Sequence, residues 1–306
     1  MLPFEYFEPT TLRNASSLLV KYGSDARILN GGTDLIVRSR QHFWQPKYVV
    51  NIKKIKGMDR LTFSKDQGLR IGAAVTLRSG ELDPTVKRDF GVLAAAAVAV
   101  GGVQIRNLGT YVGNSCNASP AGDTIPAMVA LGAKVKTYGP DGERIIPIDE
   151  FFLGVGRTSL QPGEIVTEFQ IPKPAPNTGA IYIKHSPRSQ MDISVVGVAA
   201  VVTLAPGSSR CIDARIALGA VAPTVLRSKK AEDILIGNEL TDEVITRAAI
   251  AAAEGTNPIS DVRAPAEYRK DMVEALTKRA AKYALEMART GMDVKKQQAI
   301  AIEQIL

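Results

Sequence analysis

The stretch IRNLGTYVGNSCNASPAGD, residues 105–123, is the most informative part of the chain. It follows neither a helical nor a strand periodicity, and it is dense in Gly, Asn, Ser and Pro. Polar irregular stretches of this length inside compact domains are more often functional than idle. Thr110, Gly113 and Asn114 are small or polar and suit hydrogen bonding to a phosphate or to a polar ring edge. Asp123 stands just before a predicted helix, where a carboxylate caps the helix or accepts hydrogen bonds from ribose hydroxyls.

A second Gly-rich loop, LNGGTDLI at residues 29–36, connects a predicted strand to a predicted helix. Gly31 and Gly32 let the chain turn tightly and bring backbone N–H groups close to a bulky anion. Thr33 adds a hydroxyl donor at the start of the helix. Taken alone, the same pattern is more often a plain tight turn with a helix cap.

The composition narrows the class of protein. Of the 306 residues, 45% are hydrophobic and 23% are charged, which is enough for a full hydrophobic core. The net charge is +7, but the basic residues are scattered, and that pattern does not favour a nucleic-acid partner. The most apolar stretch, residues 91–103, is too short to span a bilayer, and the N-terminus shows no signal-peptide pattern. We therefore expect a cytoplasmic protein without a membrane span.

The cysteines and histidines exclude several kinds of site. Cys116 and Cys211 form no CxxC pair, so this chain alone is not expected to hold a Cys-ligated zinc or an iron–sulfur cluster. His42 and His185 lack an HExxH pattern, and GxSxG, GxGxxG and GxxxxGK[ST] motifs do not occur. We predict no catalytic residue and no metal site in this chain.

Hydrophobic periodicity predicts an α+β chain with a domain boundary in the proline-rich segment PKPAPN, residues 172–177. Before this boundary, the pattern predicts a helix that closes at residue 23 and further helices at 89–100 and 124–131, together with strands at 26–30, 48–52, 69–77, 134–138, 144–147 and 164–171. After the boundary it predicts a meander of strands at 180–184, 195–204 and 211–221, then helices at 228–236, 241–254 and 265–290. Strands followed by helices indicate a second domain with its helices on one face of the sheet.

The two loops together closely resemble the FAD-binding medium subunit of molybdenum hydroxylases, the xanthine dehydrogenase and carbon monoxide dehydrogenase family. The shared signatures are a small residue–Gly-Gly-Thr/His–x–Leu loop and an Ile-Arg-Asn–x–Gly-Thr–x–Gly-Gly-Asn run ending in Ser-Pro–x–x–Asp. The resemblance continues to residues 192–193 and covers nearly the whole chain. It implies a two-lobed PCMH-type (vanillyl-alcohol-oxidase-like) FAD-binding domain at residues 1–175, with lobes at about 1–55 and 56–175. A smaller α+β C-terminal domain with an antiparallel sheet and helices would follow at 176–290, and a tail at 291–306.

The resemblance also implies a set of FAD-binding residues. The first loop would wrap the pyrophosphate with Leu29, Asn30, Gly31, Gly32, Thr33, Asp34, Leu35 and Ile36. The second loop would complete this cradle with Thr110, Tyr111, Val112, Gly113 and Asn114. Val100 would pack against the cofactor, Asp123 would hold the ribose or adenosine side, and Val166 would contact the flavin. Lys184 would reach the polar edge of the isoalloxazine, and Tyr182 is similar to an aromatic residue that covers one flavin face in some members.

One residue departs from the family pattern. Val112 stands where the family usually has the first glycine of a Gly-Gly pair. A β-branched residue resists positive φ and adds bulk beside the phosphate site. Either this peptide has an ordinary φ, or the loop lies further from the pyrophosphate. The inserted iron–sulfur segment of the hydroxybenzoyl-CoA reductase type is also missing here.

The function implied by the resemblance is that of a flavin subunit in a heteromeric molybdenum hydroxylase-type oxidoreductase. A large subunit would hold molybdopterin, and a small subunit would hold two [2Fe–2S] clusters. Electrons would reach FAD from these clusters and leave to NAD+, oxygen, a quinone or a carrier protein. Two alternatives stay open: a free-standing PCMH-type flavin oxidoreductase with its own small substrate, and a basic, non-enzymatic interaction module. The tail at 292–306, which has no obvious core of its own, is predicted to contact a partner subunit.

Overall fold

The computed structural model describes residues 1–188 and 191–291. The first lobe is a three-stranded parallel sheet in the order β1-β3-β2 with two helices. Its elements are β1 (Glu5–Phe7), α1 (Leu12–Tyr22), β2 (Ala26–Leu29), α2 (Leu35–Arg40) and β3 (Tyr48–Asn51). Helix α1 starts where the Thr11 side chain accepts a hydrogen bond from the Asn14 N–H, and it ends at Gly23. The first Gly-rich loop leaves the carboxyl end of β2, where open parallel sheets commonly bind ligands.

The second lobe is a five-stranded antiparallel sheet in the order β4-β5-β10-β6-β7, with six short helices. Its sheet strands are β4 (Leu61–Ser64), β5 (Gly68–Gly72), β6 (Lys134–Gly139), β7 (Gly142–Pro147) and β10 (Ile165–Ile171), and β8 (Phe152–Gly154) pairs separately with β9 (Arg157–Thr158). The helices are α3 (Leu77–Leu82), α4 (Pro84–Asp89), α5 (Gly91–Val98), α6 (Val103–Arg106), α7 (Tyr111–Cys116) and α8 (Thr124–Ala130).

Two sequence-based predictions are wrong within this lobe. The strand predicted at 69–77 ends at Gly72, because Thr76 accepts a hydrogen bond from the Ser79 N–H and starts α3. The stretch 105–123, predicted to be irregular, contains the end of α6 and all of α7. Helix α7 forms because the Thr110 side chain accepts a hydrogen bond from the Gly113 N–H and caps the start of the helix. The helix was not predicted because it is too short to show a hydrophobic period.

The C-terminal domain is an antiparallel sheet in the order β11-β12-β13-β14, followed by three helices. Its elements are β11 (Thr178–His185), β12 (Val196–Leu204), β13 (Cys211–Gly219), β14 (Leu226–Arg227), α9 (Lys229–Leu235), α10 (Asp242–Glu254) and α11 (Ala266–Thr290). As predicted, these helices cover one face of the sheet. Helices α5 and α8 of the first domain pack on the sheet as well, and small residues such as Ala180, Ala199 and Ala217 join the first domain's core. Both faces of the sheet are therefore buried, so the two domains share an extensive contact.

The remaining predictions about the chain concern its boundary, its tail and the membrane. The proline-rich segment lies between β10 and β11, where the boundary is predicted. Residues 292–306, predicted to contact a partner subunit, lie outside the described residues. No helix among residues 1–188 and 191–291 is long and apolar enough to cross a membrane.

Candidate cofactor site

A cleft of about 970 Å³ lies where the two lobes and the C-terminal domain meet. This volume is at the upper end of the range for small-molecule sites and suits a ligand as large as a dinucleotide. Of the sequence-predicted residues, those that line the cleft are Asn30, Gly31, Gly32, Thr33, Asp34, Leu35, Val100, Thr110, Val112, Gly113, Asn114, Asp123 and Val166. Five predicted residues are not part of the lining. Leu29, Ile36 and Tyr111 are sequence neighbours of lining residues, whereas Tyr182 and Lys184 form hydrogen bonds with the lining residue Asp123.

The two Gly-rich loops touch each other in the wall of this cleft. A Cβ at Gly31 would lie 2.3 Å from the Leu108 carbonyl oxygen, so only glycine permits this approach. The Asn30 amide Nδ2 donates to Thr110 Oγ1 at 3.0 Å, and Asn117 Nδ2 donates to Asp34 Oδ1 at 3.2 Å. The loops therefore form one structural unit, which we call the cradle and define as residues 30–34 and 109–114.

The cradle presents unpaired hydrogen-bond donors. The backbone N–H groups of Gly31, Gly32 and Thr33 donate to no atom of the described residues, and Gly32 has a φ of +74°. Thr110 Oγ1 accepts from both Asn30 Nδ2 and the Gly113 N–H, so its own proton is left to donate. Neutral donors converging on one cleft wall are the chemistry that holds a pyrophosphate. The residues present therefore fit the phosphate part of FAD.

Two side-chain amides in the cradle are held in fixed orientations. Asn30 Nδ2 also donates to the Ala73 carbonyl, which can only accept, and this contact fixes which end of the amide faces Thr110. Asn114 Oδ1 accepts from Thr124 Oγ1 at 2.7 Å, which leaves Asn114 Nδ2 as a donor for the cleft. Burial raises the pKa of Asp34, and the Arg38 guanidinium opposes that rise.

The departure at Val112 is accommodated by helix α7. Val112 is not among the residues with positive φ, and its side chain is buried in the core of the first domain. Of the two alternatives left open by the sequence, the ordinary φ is therefore the one found. Val112 lies in the first turn of α7, where the side chain can point into the core while the backbone stays at the cleft.

The other end of the cleft is built from side chains of both domains. Asp123 Oδ1 accepts from Tyr182 OH at 2.8 Å and from Ser194 Oγ at 2.6 Å, and Asp123 Oδ2 accepts from Lys184 Nζ at 2.9 Å. Lys184 Nζ also donates to the carbonyls of Ala99 and Asp192. We call Asp123, Tyr182, Lys184 and Ser194 the Asp123 cluster. Its members are buried or nearly so.

Burial and hydrogen bonding act in opposite directions on the carboxyl group of this cluster. Burial raises the pKa of Asp123, and the Lys184 ammonium and the Ser194 and Tyr182 hydroxyls oppose that rise. Burial and the neighbouring Asp123 raise the pKa of Tyr182 well above its usual value, so this phenol stays a donor. The cluster thus places a charged group at the cleft wall, and hydrogen bonds from the other members of the cluster hold this group in place.

This arrangement bears on three sequence-based predictions. Asp123 and Lys184, which were predicted to serve different ends of FAD, form one ion pair. Tyr182 is only 3% exposed, and its ring belongs to the core, which does not support its covering a flavin face. Asp123 precedes α8, but its side chain makes no capping bond because its oxygens are used by the cluster. The Tyr111 side chain is also buried, against Gly80, and can offer the cleft only its backbone.

A partly buried arginine, Arg106, which sequence reasoning missed, shapes the wall near Val100. Arg106 Nη1 donates to the carbonyls of Val98, Val100 and Gly101, and Arg106 Nε donates to Glu81 Oε2 at 2.8 Å. These bonds tie the end of α5 to α6 and fix the turn that lines the cleft. The Ile-Arg-Asn signature contains Arg106, but nothing in the sequence shows which carbonyls it reaches.

The thiol and imidazole groups near the cleft have no arrangement typical of catalysis. Burial raises the pKa of the cleft-lining Cys116 to about 12, so its thiol is protonated at neutral pH. His185 Nε2 pairs with Tyr268 OH at 3.0 Å on α11. Among the described residues, no group of three or more His, Cys, Asp or Glu side chains could hold a metal ion.

The chain resembles known proteins over nearly its whole length. Residues 2–174 match the family model for the FAD binding domain in molybdopterin dehydrogenase, and residues 181–284 match the CO dehydrogenase flavoprotein C-terminal domain. A putative xanthine dehydrogenase FAD-binding subunit of Escherichia coli strain K12 is 32% identical over 284 residues, covering 92% of this chain and 96% of the relative. The carbon monoxide dehydrogenase medium chain of Hydrogenophaga pseudoflava is 34% identical over 284 residues, covering 92% and 97%.

Solved structures agree with these matches. Carbon monoxide dehydrogenase from Hydrogenophaga pseudoflava, in a form that lacks the Mo-pyranopterin moiety, superposes with a TM-score of 0.89 at 33% identity, covering 93% of this chain and 98% of that chain. The fold is therefore the two-domain α+β fold predicted from the resemblance. The protein is a flavoprotein of the oxidoreductase class. It belongs to the family of FAD-binding subunits of molybdenum hydroxylases, whose medium chains carry FAD.

Proposed function

We propose that this chain is the electron-transfer subunit of a heteromeric molybdenum hydroxylase. It would pass electrons between [2Fe–2S] clusters of a small subunit and an external acceptor, while a large subunit holds molybdopterin and transforms the substrate. FAD supplies one- and two-electron redox chemistry when it is bound. The single observation that carries the proposal is the continuous cleft that joins the donor-rich cradle to the Asp123 cluster.

The residues of this chain would bind FAD and tune the redox properties of its flavin. The cradle would hold the pyrophosphate through Gly31, Gly32, Thr33 and the Thr110 hydroxyl. Val100 and Val166, which line the cleft, would pack against the ring system and exclude water from it. The ammonium of Lys184, held by Asp123, would set the electrostatic potential at the flavin end.

The named relatives support a subunit rather than a free-standing enzyme, since their names describe subunits or medium chains. For a free-standing flavin oxidoreductase we would expect an acid or base positioned over the cleft. Asp123, one of the carboxylates that line the cleft, is instead paired with Lys184. A basic interaction module does not account for a cleft of this size lined with unpaired donors. The cytoplasmic location and the identity of the acceptor stay predictions.

A tagged chain purified from its native host tests the proposal. We expect co-purification with two further chains, with flavin, iron and molybdenum all present in the complex. Photoreduced complex should then be mixed in turn with NAD+, oxygen, a quinone and a carrier protein, and the rate of flavin reoxidation at each identifies the acceptor. A chain that purifies alone with flavin and turns over its own small substrate would establish the free-standing alternative.

A further inference from the structure

A further part of the cleft wall, which we call the extension, lies outside both the cradle and the Asp123 cluster. This extension is lined by Gly23, Ser24, Arg27, Arg38 and Trp44, all of which come from the first lobe. Its wall has two parts, residues 23–27 and residues 38–44. Contacts between Asp25 and Lys47 join these two segments, since the Lys47 N–H donates to the Asp25 carbonyl at 3.0 Å and Lys47 Nζ pairs with Asp25 Oδ2. None of these residues was singled out from the sequence.

Arg38 and Trp44 form a cation–aromatic pair in this extension. The Arg38 guanidinium lies 4.7 Å from the centre of the Trp44 ring. The Arg38 carbonyl accepts from the Trp44 N–H at 3.3 Å and from the Phe43 N–H at 3.0 Å, so the indole is held beside the helix that follows the first loop. The indole offers a flat, electron-rich face that suits a purine base, and the guanidinium offers a positive charge that suits the attached phosphate.

Arg27 adds a second positive charge to the lining of the cleft. Its Nη1 donates to the carbonyls of Ser24 and Ala26, which fixes the side chain and leaves further N–H groups free to donate. Asp34 is the carboxylate closest in sequence to Arg38, and burial raises its pKa. The extension is thus basic and aromatic, whereas the opposite end of the cleft contains a lysine already paired with a carboxylate.

We propose that Arg27, Arg38 and Trp44 form the subsite for the ADP half of the dinucleotide, with adenine stacked on the Arg38–Trp44 pair. This inference rests on the proposed FAD function and gives the adenosine end to residues other than Asp123. Asp123 has little acceptor capacity left for ribose hydroxyls, because its oxygens already accept three hydrogen bonds from its own cluster. With the pyrophosphate on the cradle, the flavin then lies toward the Asp123 cluster and the adenosine toward the first lobe.

The test compares FAD with two ligands that each correspond to one half of it, FMN for the flavin half and ADP for the adenosine half. Apo full-length chain is titrated with FAD, FMN and ADP, first as wild type and then as Trp44→Ala, Trp44→Phe and Arg38→Ala. We expect Trp44→Ala and Arg38→Ala to weaken FAD and ADP binding about tenfold each, in the range of base–aromatic stacking, and to change FMN binding less than twofold. Trp44→Phe should retain most of the affinity, because it keeps an aromatic face. Phe43→Ala is the matched control, since Phe43 is 74% exposed and does not line the cleft.

Trp44 is the only tryptophan in the chain, so its fluorescence reports on this subsite alone. ADP should change the Trp44 emission in apo-protein but not in FAD-loaded protein. An ADP response in FAD-loaded protein would assign the subsite to another ADP-bearing ligand, such as a nicotinamide cofactor, and overturn the inference. Equal losses of FAD and FMN affinity, or no loss in either variant, would also overturn it. If the wild-type chain binds neither FAD nor FMN, the proposed function itself is wrong.

Discussion

The cradle and the Asp123 cluster lie in one cleft but are built in opposite ways. The cradle offers backbone N–H groups of its first loop and the Thr110 hydroxyl of its second loop, all within the first domain. The Asp123 cluster uses side chains, and its hydrogen bonds join residues 59, 61 and 71 positions apart across the domain contact. The cradle should therefore be sensitive to added bulk at glycines, whereas the cluster should be sensitive to loss of a single charge. Four substitutions test this difference.

Gly31→Val should have the largest effect. Its side chain would begin 2.3 Å from the Leu108 carbonyl oxygen and force the two loops of the cradle apart. FAD would lose two or more charge-assisted bonds, each worth about 1.5–3 kcal/mol. We expect no measurable FAD binding in equilibrium titration. Gly154→Ala is the control, because nothing lies within 4 Å of a Cβ at Gly154, and it should bind FAD like wild type. Normal FAD content in Gly31→Val would show that the loops do not act as one cradle.

Lys184→Ala should mainly destabilise the fold. It leaves the Asp123 carboxylate buried without its counterion, which costs about 3–5 kcal/mol. Urea unfolding of the full chain measures this loss, and Lys184→Ala combined with Asp123→Asn should recover part of it. Lys282→Ala removes an ion pair with Asp242 that is largely exposed, so it should cost less than about 1 kcal/mol. Equal losses for Lys184→Ala and Lys282→Ala would argue against a buried, structural cluster.

Thr110→Val should have an intermediate effect on both stability and binding. The change removes the cap of α7, worth about 1 kcal/mol, together with the hydroxyl donor facing the cleft. Thr110→Ser retains both groups and should restore FAD affinity and melting temperature. Failure of serine to restore binding would mean that the hydroxyl is not the group that FAD uses.

Tyr182→Phe should have the smallest effect. It removes one hydrogen bond to Asp123, worth about 1 kcal/mol, and leaves the ring packed in the core. We expect a small drop in melting temperature and unchanged FAD affinity. A large loss of FAD affinity would show instead that the ring or hydroxyl touches the flavin.

The difference between the two regions also explains what could be predicted from the sequence. Within each of the two loops of the cradle the residues are close together along the chain, and Gly31 and Gly32 leave a local signature that points to anion binding. Periodicity predicted the meander of β11, β12 and β13, and the proline-rich segment lies between β10 and β11, where the boundary is predicted. The role of Val112 could not be read, because its direction depends on the cap that Thr110 provides to a two-turn helix.

Contacts between distant residues were beyond sequence reasoning. Tyr182 and Lys184 lie on one strand and Asp123 precedes a helix of the other domain, and only the packing of α8 on the C-terminal sheet brings them together. The same holds for Trp44, whose place in the cleft depends on how residues 41–47 fold back beside Asp25. Side-chain partners of this kind have no periodic or motif signal in a single sequence.

A crystal structure of the full chain loaded with FAD would locate both halves of the cofactor in the cleft. The pyrophosphate oxygens should lie within about 2.7–3.2 Å of the Gly31–Thr33 backbone nitrogens and the Thr110 hydroxyl oxygen. The isoalloxazine should lie between Val100 and Val166 beside the Asp123 cluster, with adenine on Arg38 and Trp44. A pyrophosphate bound away from residues 30–34 and 109–114 would show that the cradle is not the phosphate-binding site.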